Sequence, residues 1–284
     1  MRIARDTLTA PDGLRMATWA WLPDDEAATL RGSVVITHGL AEHAGRYERL
    51  AGALVDAGFA VHAFDLRGHG ASAGPRAQVR DVDELVADLR AVFDHVRAWQ
   101  GGSLALFGHS LGGLVTLRAV QSGSVAPEAL VLSSPFLRSP SAPPALVVRA
   151  LTALGRVWPG APAKRLDPSA MSRDPREVAA YRDDPQVTHD PVRLDTAIAM
   201  VRAAEAALAP DGPPLSLPTL VLHGLADRVA DPSGSAELVA RHAGVTHHVE
   251  PDGHHELFND TCREHVTDVL VRWLTTRLPQ RDEA

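Results

Sequence analysis

Residues 104–115 read LALFGHSLGGLV, an apolar run, a serine flanked by glycines, and a second apolar run that opens on a further glycine. Leu104 to Phe107 has the length of a strand and is too short for a helix, whereas Leu111 to Ser122 carries helical spacing. Between them, Gly108-His109-Ser110-Leu111-Gly112 fits G-x-S-x-G at a strand-to-helix turn. Such a turn holds its serine in a strained conformation that lifts the hydroxyl above the sheet. Side chains two residues either way would strike neighbouring backbone, which glycine avoids. Gly113 lets the helix approach the strand, and the positive end of that helix points to where an oxyanion would form. Ser110 is therefore the candidate nucleophile.

Working outward, further strand-length runs lie at Val34 to Thr37, Ala60 to Phe64, Ala129 to Ser133, Thr219 to His223 and Thr246 to Val249. Helical patterns at Tyr47 to Ala57, Val82 to Trp99 and Arg263 to Leu278 alternate with them. With two short N-terminal strands around Pro11-Asp12-Gly13, this predicts an α/β chain whose mostly parallel, doubly wound sheet has about eight strands. The alternation fails once. Residues 136–216 are rich in Pro, Ala and Arg and show no clear strand, which predicts a helical insertion, a lid, between core strands. The expected domains are one discontinuous core, 1–135 with 217–284, and the 136–216 insertion. Val147, Leu151, Leu154 and Trp158 recur at helical spacing. Their apolar face either packs on the core or belongs to a lid that lines a pocket or touches a lipid surface.

A serine hydroxyl is a poor nucleophile near neutral pH, so it needs an imidazole to take its proton and a carboxylate to hold that imidazole's tautomer. The run TLVLHGLADRVADP, residues 219–232, offers Asp227 and Asp231 beyond the strand. Asp231 precedes Pro232 and a helical pattern, as an N-cap does, which leaves Asp227 as the acid. His247 and His248 fall inside a strand, whereas His254 and His255 follow the Pro251-Asp252-Gly253 turn, and spacing alone does not choose between that pair. An oxyanion hole on such an elbow takes one backbone N–H after the nucleophile and one from the loop after an early strand. These are Leu111 and, in Thr37-His38-Gly39-Leu40, Leu40. His38 reads as fixing its own loop. Asp65 and Arg67 read as an internal architectural pair.

A net charge of −7 and a pI near 6.0 lack the clustered cations that nucleic acid needs. They also give no long-range attraction to anionic lipid. Cys262 is the only cysteine, so no internal disulfide forms. No stretch reaches the ~18 uncharged apolar residues of a membrane span, and the first residues alternate instead of forming a leader's apolar run. A cytoplasmic protein is expected, which makes the sequon at Asn259 a chance match. The histidines from His242 to His255 have no H-E-x-x-H spacing, because Asn259 stands four beyond His255, so neither metal nor cofactor is expected.

The chain resembles the monoacylglycerol lipase family of serine hydrolases over nearly its whole length. The carriers are THGLAEHAGRYERLA (37–51), FDLRGHGASAG (64–74), GHSLGG (108–113), SRDPREVAAYRDDPQVTH (172–189), LVLHGLADRVADPSGS (220–235) and PDGHHELFND (251–260). The resemblance implies the α/β-hydrolase fold, whose chain order of serine, acid and histidine this sequence keeps. It also selects His255 over His254 and implies a monoacylglycerol or related small lipid ester as substrate. Leu111 stands where the family commonly has methionine, and His254 adds a second imidazole. Lysophospholipid, thioester, peptide or general carboxylic-ester substrates are alternatives with the same triad. A non-catalytic pocket for a small ligand is the alternative of a different class.

Overall fold

The computed structural model describes residues 1–25, 28–140 and 158–278. Its first two strands, β1 (Arg2–Thr9) and β2 (Arg15–Leu22), form an antiparallel hairpin. The hairpin turns at Gly13, whose φ of +88° suits a residue without a Cβ. Then follow β3 (Gly32–Thr37), α1 (Glu48–Asp56), β4 (Phe59–Phe64), α2 (Val82–Gln100), β5 (Leu104–His109), α3 (Leu111–Gln121) and β6 (Ala129–Ser133). All residues of β3 to β6 are buried, as expected for parallel strands covered on both faces.

The period of two along these strands divides the core. Val35, Leu104, Leu106, Leu130 and Leu132 pack on one face with α2 and α3. Their neighbours Val34, Ile36, Ala105, Phe107, Ala129 and Val131 pack on the other with Leu50 and Leu54 of α1. After β6 the described chain resumes at residue 158 with β7 (Pro162–Lys164), α4 (Pro175–Asp183), β8 (Val192–Arg193) and α5 (Leu194–Ala207). It returns to the sheet through β9 (Thr219–Gly224), α6 (Pro232–Arg241), β10 (Val245–Glu250) and α7 (Arg263–Arg277). The helices start where their sequences say. Asp174, Asp231 and Asp81 each accept a backbone N–H two residues on, and Pro175 and Pro232 occupy the first helical positions.

The eight-stranded sheet runs β1-β2-β4-β3-β5-β6-β9-β10, parallel from β4 to β10, with β2 antiparallel to β4. The chain leaves β3 towards β4 and later returns to the other side of β3 as β5. The order therefore reverses at the β3/β5 boundary, and the loops leaving the carboxyl ends of those two strands open a crevice there.

Two expectations need correction. The segment between β6 and β9 does contain strands: β7 and β8 pair antiparallel in a two-stranded ladder. Runs of three and two residues are too short to print an alternation on the sequence. Its helix α5 also packs into the core, since Met200, Ala204 and Ala207 join the cluster of α2 and α3. Asp65 and Arg67 do not pair with each other. Arg67 grips Asp88 of α2 through two hydrogen bonds of 2.7 and 2.6 Å, while Asp65 accepts backbone N–H groups from Ala44 and Ala71, both at 2.8 Å. The carboxylate is consumed by ordering two loops, and the guanidinium takes a partner twenty-one residues away that a helix face supplies. The amphipathic pattern at Val147, Leu151 and Leu154 lies outside the described residues, and Trp158, at its end, is exposed.

Candidate active site

Ser110 caps the N-terminus of α3 with φ 53° and ψ −116°, a conformation that costs an L-residue about 1–3 kcal/mol. Surrounding bonds hold it there. Its N–H donates to Ser133 O at 3.0 Å, and its carbonyl accepts from Phe136 N at 3.0 Å and Leu114 N at 3.1 Å. The glycines are required sterically. A Cβ on Gly112 would fall on the carbonyl oxygens of Thr37 and His38, and one on Gly108 would fall on Gly112 O. A Cβ on Gly113 would come within 2.9 Å of Pro135. Ser110 is nearly buried, yet among the described residues its Oγ makes no hydrogen bond.

The loop after β3 faces this turn. His38 is fully buried, and its Nδ1 donates to Gly39 O at 2.7 Å while Nε2 accepts from Leu66 N at 2.9 Å, so the imidazole is neutral and structural. Burial pushes it down to about 4. Gly39 N donates to Glu42 Oε1 at 2.6 Å, and Ala41 takes a φ of 68°. This tight reversal leaves Leu40 N and, across the crevice, Leu111 N with no acceptor among the described residues.

Asp227 follows β9, and His255 follows β10 on the adjacent loop. His255 Nδ1 donates to Asp227 Oδ2 at 2.7 Å. The carboxylate is held from both sides, because Oδ1 accepts Val229 N at 2.7 Å and Ala230 N at 3.0 Å. A second imidazole, His223 Nε2, also meets Oδ2 at 3.1 Å, with its Nδ1 2.7 Å from Ser235 Oγ. Burial alone would raise the Asp227 carboxyl, but the charge and hydrogen bonds of His255 and His223 outweigh it and hold the group well below the usual carboxylate range. For His255, burial pulls the imidazole down, but the charge and hydrogen bond of Asp227, with the charges of Glu256 and Glu42, together outweigh it, so it sits above its ordinary value. His254 is not on the acid: its backbone N–H donates to Asp260 Oδ2 at 2.9 Å, and its buried Nδ1 has no partner among the described residues. Asp231 caps α6 through Ser233 N at 2.9 Å, as expected.

A buried ion-pair network braces the two halves. Arg46 makes two hydrogen bonds to Glu256, of 2.6 and 2.7 Å, and one of 3.0 Å to Glu42, whose other oxygen accepts Tyr47 Oη at 2.8 Å. The loop bearing Leu40 is thereby tied to the residue after His255. Burial pulls Glu256 up, but the Arg46 guanidinium prevails and leaves it at about 2. His109 lies against the His255 ring at 4.7 Å between centroids, and burial pushes it down to about 4, so it adds no positive charge there. Neither Arg46 nor His223 was expected from the sequence. Glu42 and Arg46 do carry a signal, a Glu and an Arg four residues apart at a helix start.

Ser110, His255 and Leu40 open on one cavity of about 340 Å³, within the usual range for small-ligand sites. They share it without a hydrogen bond between Ser110 and His255, looseness common in ligand-free sites. Its walls are mostly apolar, with Phe136, Leu166, Met171, Met200 and Val229, while Lys164, Arg165 and Arg228 add charge. Residues 170–173 pack on the histidine loop. Glu256 N donates to Met171 O at 2.8 Å, Ser172 Oγ to Asn259 O at 2.8 Å, and Arg173 N to Asp260 Oδ1 at 2.7 Å.

Residues 28–262 match the serine aminopeptidase S33 family, Hydrolase_4. A monoacylglycerol lipase of Mycolicibacterium smegmatis is 36% identical, over 94% of this chain and 95% of that protein. The chain belongs to the monoacylglycerol lipase family. A monoglyceride lipase of Rattus norvegicus shares 34% identity over 80% of this chain and 75% of its own length. The crystal structure of Paleococcus ferrophilus monoacylglycerol lipase superposes with a TM-score of 0.78 at 32% identity, covering 98% of this chain and all of that one. The α/β-hydrolase fold of the family is thus also the fold here. A soluble variant of monoglyceride lipase from Saccharomyces cerevisiae, at 20% identity and a TM-score of 0.82, repeats that fold. No helix among the described residues is long and apolar enough to cross a membrane.

Proposed function

We propose that the chain hydrolyses monoacylglycerols to fatty acid and glycerol through an acyl-serine intermediate, with Ser110 as nucleophile, His255 as general base, Asp227 as its orienting acid, and Leu40 and Leu111 N–H as the oxyanion hole. The observation that carries this reading is the 2.7 Å bond from His255 Nδ1 to Asp227. With the Nδ1 proton committed to the carboxylate, Nε2 keeps its lone pair for the Ser110 proton. As Oγ attacks the ester carbonyl, that proton moves to Nε2 and the new oxyanion takes the two unclaimed backbone N–H groups. Collapse breaks the ester bond, and glycerol leaves with the proton from Nε2. Water then repeats the sequence on the acyl-serine and releases the acid. The 136–216 segment serves as the lid, its apolar wall at Leu166, Met171 and Met200 receiving the acyl chain. The exposed indole of Trp158 supports a transient contact of the lid with a lipid surface.

Peptide substrates fit the cavity less well. An aminopeptidase needs an acceptor for the substrate's ammonium group, and the cavity's carboxylates are engaged elsewhere. Glu42 and Glu256 serve Arg46, and Asp167 serves Ser169. We expect kcat/KM for monooleoylglycerol to exceed that for amino-acid anilides and for lysophosphatidylcholine by on the order of 100-fold or more. A preference for either of the others overturns the substrate assignment and leaves the triad standing.

The same geometry sets a pH dependence. His255 must be neutral to accept a proton, so activity rises as pH increases through its pKa. Because Asp227 raises that value, the inflection of kcat/KM lies above the ordinary imidazole value of about 6.5. A profile flat from pH 5 to 8, or an inflection below 6.5, contradicts the role given to His255.

A further inference from the structure

A second cluster of imidazole and carboxylate groups lies away from the ester cavity. His248 and Glu250 stand two apart on β10 and so share a face of the strand. His265, near the start of α7, reaches over that face. His248 Nε2 is 2.7 Å and His265 Nε2 3.5 Å from the same atom, Glu250 Oε1, and the three potential ligand atoms lie within 4.8 Å of one another. None of the three lines the cavity of Ser110.

The chemistry of the cluster is unusual for a structural ion pair. Glu250 is buried, yet no Arg, Lys or backbone N–H among the described residues meets its carboxylate, only the two imidazoles. An ionised buried carboxylate normally takes a strong cationic partner. Imidazoles compensate a carboxylate less strongly than a guanidinium or an ammonium group, and imidazole nitrogens are also common metal ligands. Two imidazole nitrogens and one carboxylate oxygen are a three-ligand set typical of zinc. Magnesium and calcium prefer all-oxygen shells.

We propose that His248, Glu250 and His265 form a zinc-binding site that clips α7 to the edge strand β10, with water as fourth ligand. Zinc holds ligands at about 2.0–2.2 Å in a tetrahedron, which places ligand atoms about 3.3 Å apart. The observed 2.7 and 3.5 Å bracket that spacing. Most of the adjustment falls on His265, whose side chain is 60% exposed and able to turn. The site also has a route to the loop beyond it, because Glu250 O accepts Leu225 N at 2.9 Å and Gly253 N at 3.2 Å. The chain reaches His255 two residues after Gly253.

The test uses full-length, untagged protein stripped with a chelator and titrated with zinc chloride by calorimetry and thermal melting. The expected result is one saturable equivalent. A Tm rise of about 5 °C is expected at 100-fold excess of zinc over Kd, with none from magnesium at the same concentration. The double variant His248→Gln, His265→Asn should lose that equivalent and the Tm shift, bind zinc at least tenfold more weakly, and keep wild-type ester turnover. Unchanged binding by the double variant, or only weak binding spread over many histidines, overturns the site. Neither result touches the assignment of Ser110.

Discussion

Ser110→Ala lowers kcat for monoacylglycerol hydrolysis by a factor on the order of 10⁶ and leaves the fold as it is. The size follows from the interdependence of the site. His255 can accept a proton only from a group that then attacks, and no other hydroxyl shares the turn of Ser110, so the remaining groups act on water alone. The stability side follows from the unbonded hydroxyl. Ser110 Oγ has no hydrogen-bond partner among the described residues, and alanine keeps the Cβ and the backbone bonds to Ser133 O and from Phe136 N. The change in unfolding free energy should stay within about 0.5 kcal/mol. Turnover of purified variant by single-turnover assay, beside calorimetric melting, reads both. Activity within tenfold of wild type at an unchanged Tm means that another residue carries the acyl group.

Asp227→Asn is expected to cost about 10⁴ in kcat, and the environment of the carboxylate explains why so isosteric a change is so damaging. Oδ1 accepts two backbone N–H groups, from Val229 and Ala230. An asparagine there keeps its carbonyl on those donors and turns its NH2 towards His255 Nδ1 and His223 Nε2. A donor facing Nδ1 selects the tautomer that carries its proton on Nε2, and that tautomer cannot take the proton of Ser110. The raised pKa of His255 also falls, because the Asp227 charge that opposes burial is gone. Two readouts separate this from simple loss of structure. The variant should melt within a few degrees of wild type, and its residual activity should reach half-maximum at lower pH. Unchanged turnover would show that His255 is not oriented through Asp227.

Much of the framework is legible in local sequence because it rests on local physics. Unbroken apolar runs such as Leu104 to Phe107 mark strands buried on both faces, and their ends differ by only a residue or two from the ladders observed. Glycines at 108, 112 and 113 announce a turn whose neighbours leave no room for a Cβ. Pro232 separates Asp231, a cap, from Asp227, which meets His255. What stayed hidden depends on distance along the chain. Arg46 and Glu256 are 210 residues apart, and no window of sequence pairs them. The choice between His254 and His255 turns on which way a loop aims two adjacent rings. In the structure Asp260 holds the His254 backbone N–H while the His255 ring faces Asp227, an arrangement that supports the choice of His255. The pairing of β7 with β8 was invisible because two or three residues cannot display a period of two.

The network around Arg46 also links the proposed lid to the proposed triad. Met171 O and Asp260 join residues 170–173 to the histidine loop, and Glu256 joins that loop through Arg46 to the loop of Leu40. On the proposed reading, displacing residues 170–173 disturbs the base and the oxyanion donors together. The arrangement fits an enzyme in which substrate entry and assembly of the site are one event.

The most direct measurement is intact-protein mass spectrometry after exposure to a fluorophosphonate, with peptide mapping of the adduct. The account predicts a single phosphonyl group per chain, on Ser110, formed faster as pH rises through the His255 titration and lost in Ser110→Ala. A wild-type chain that stays unmodified, or one whose adduct maps to another residue and persists in Ser110→Ala, contradicts it.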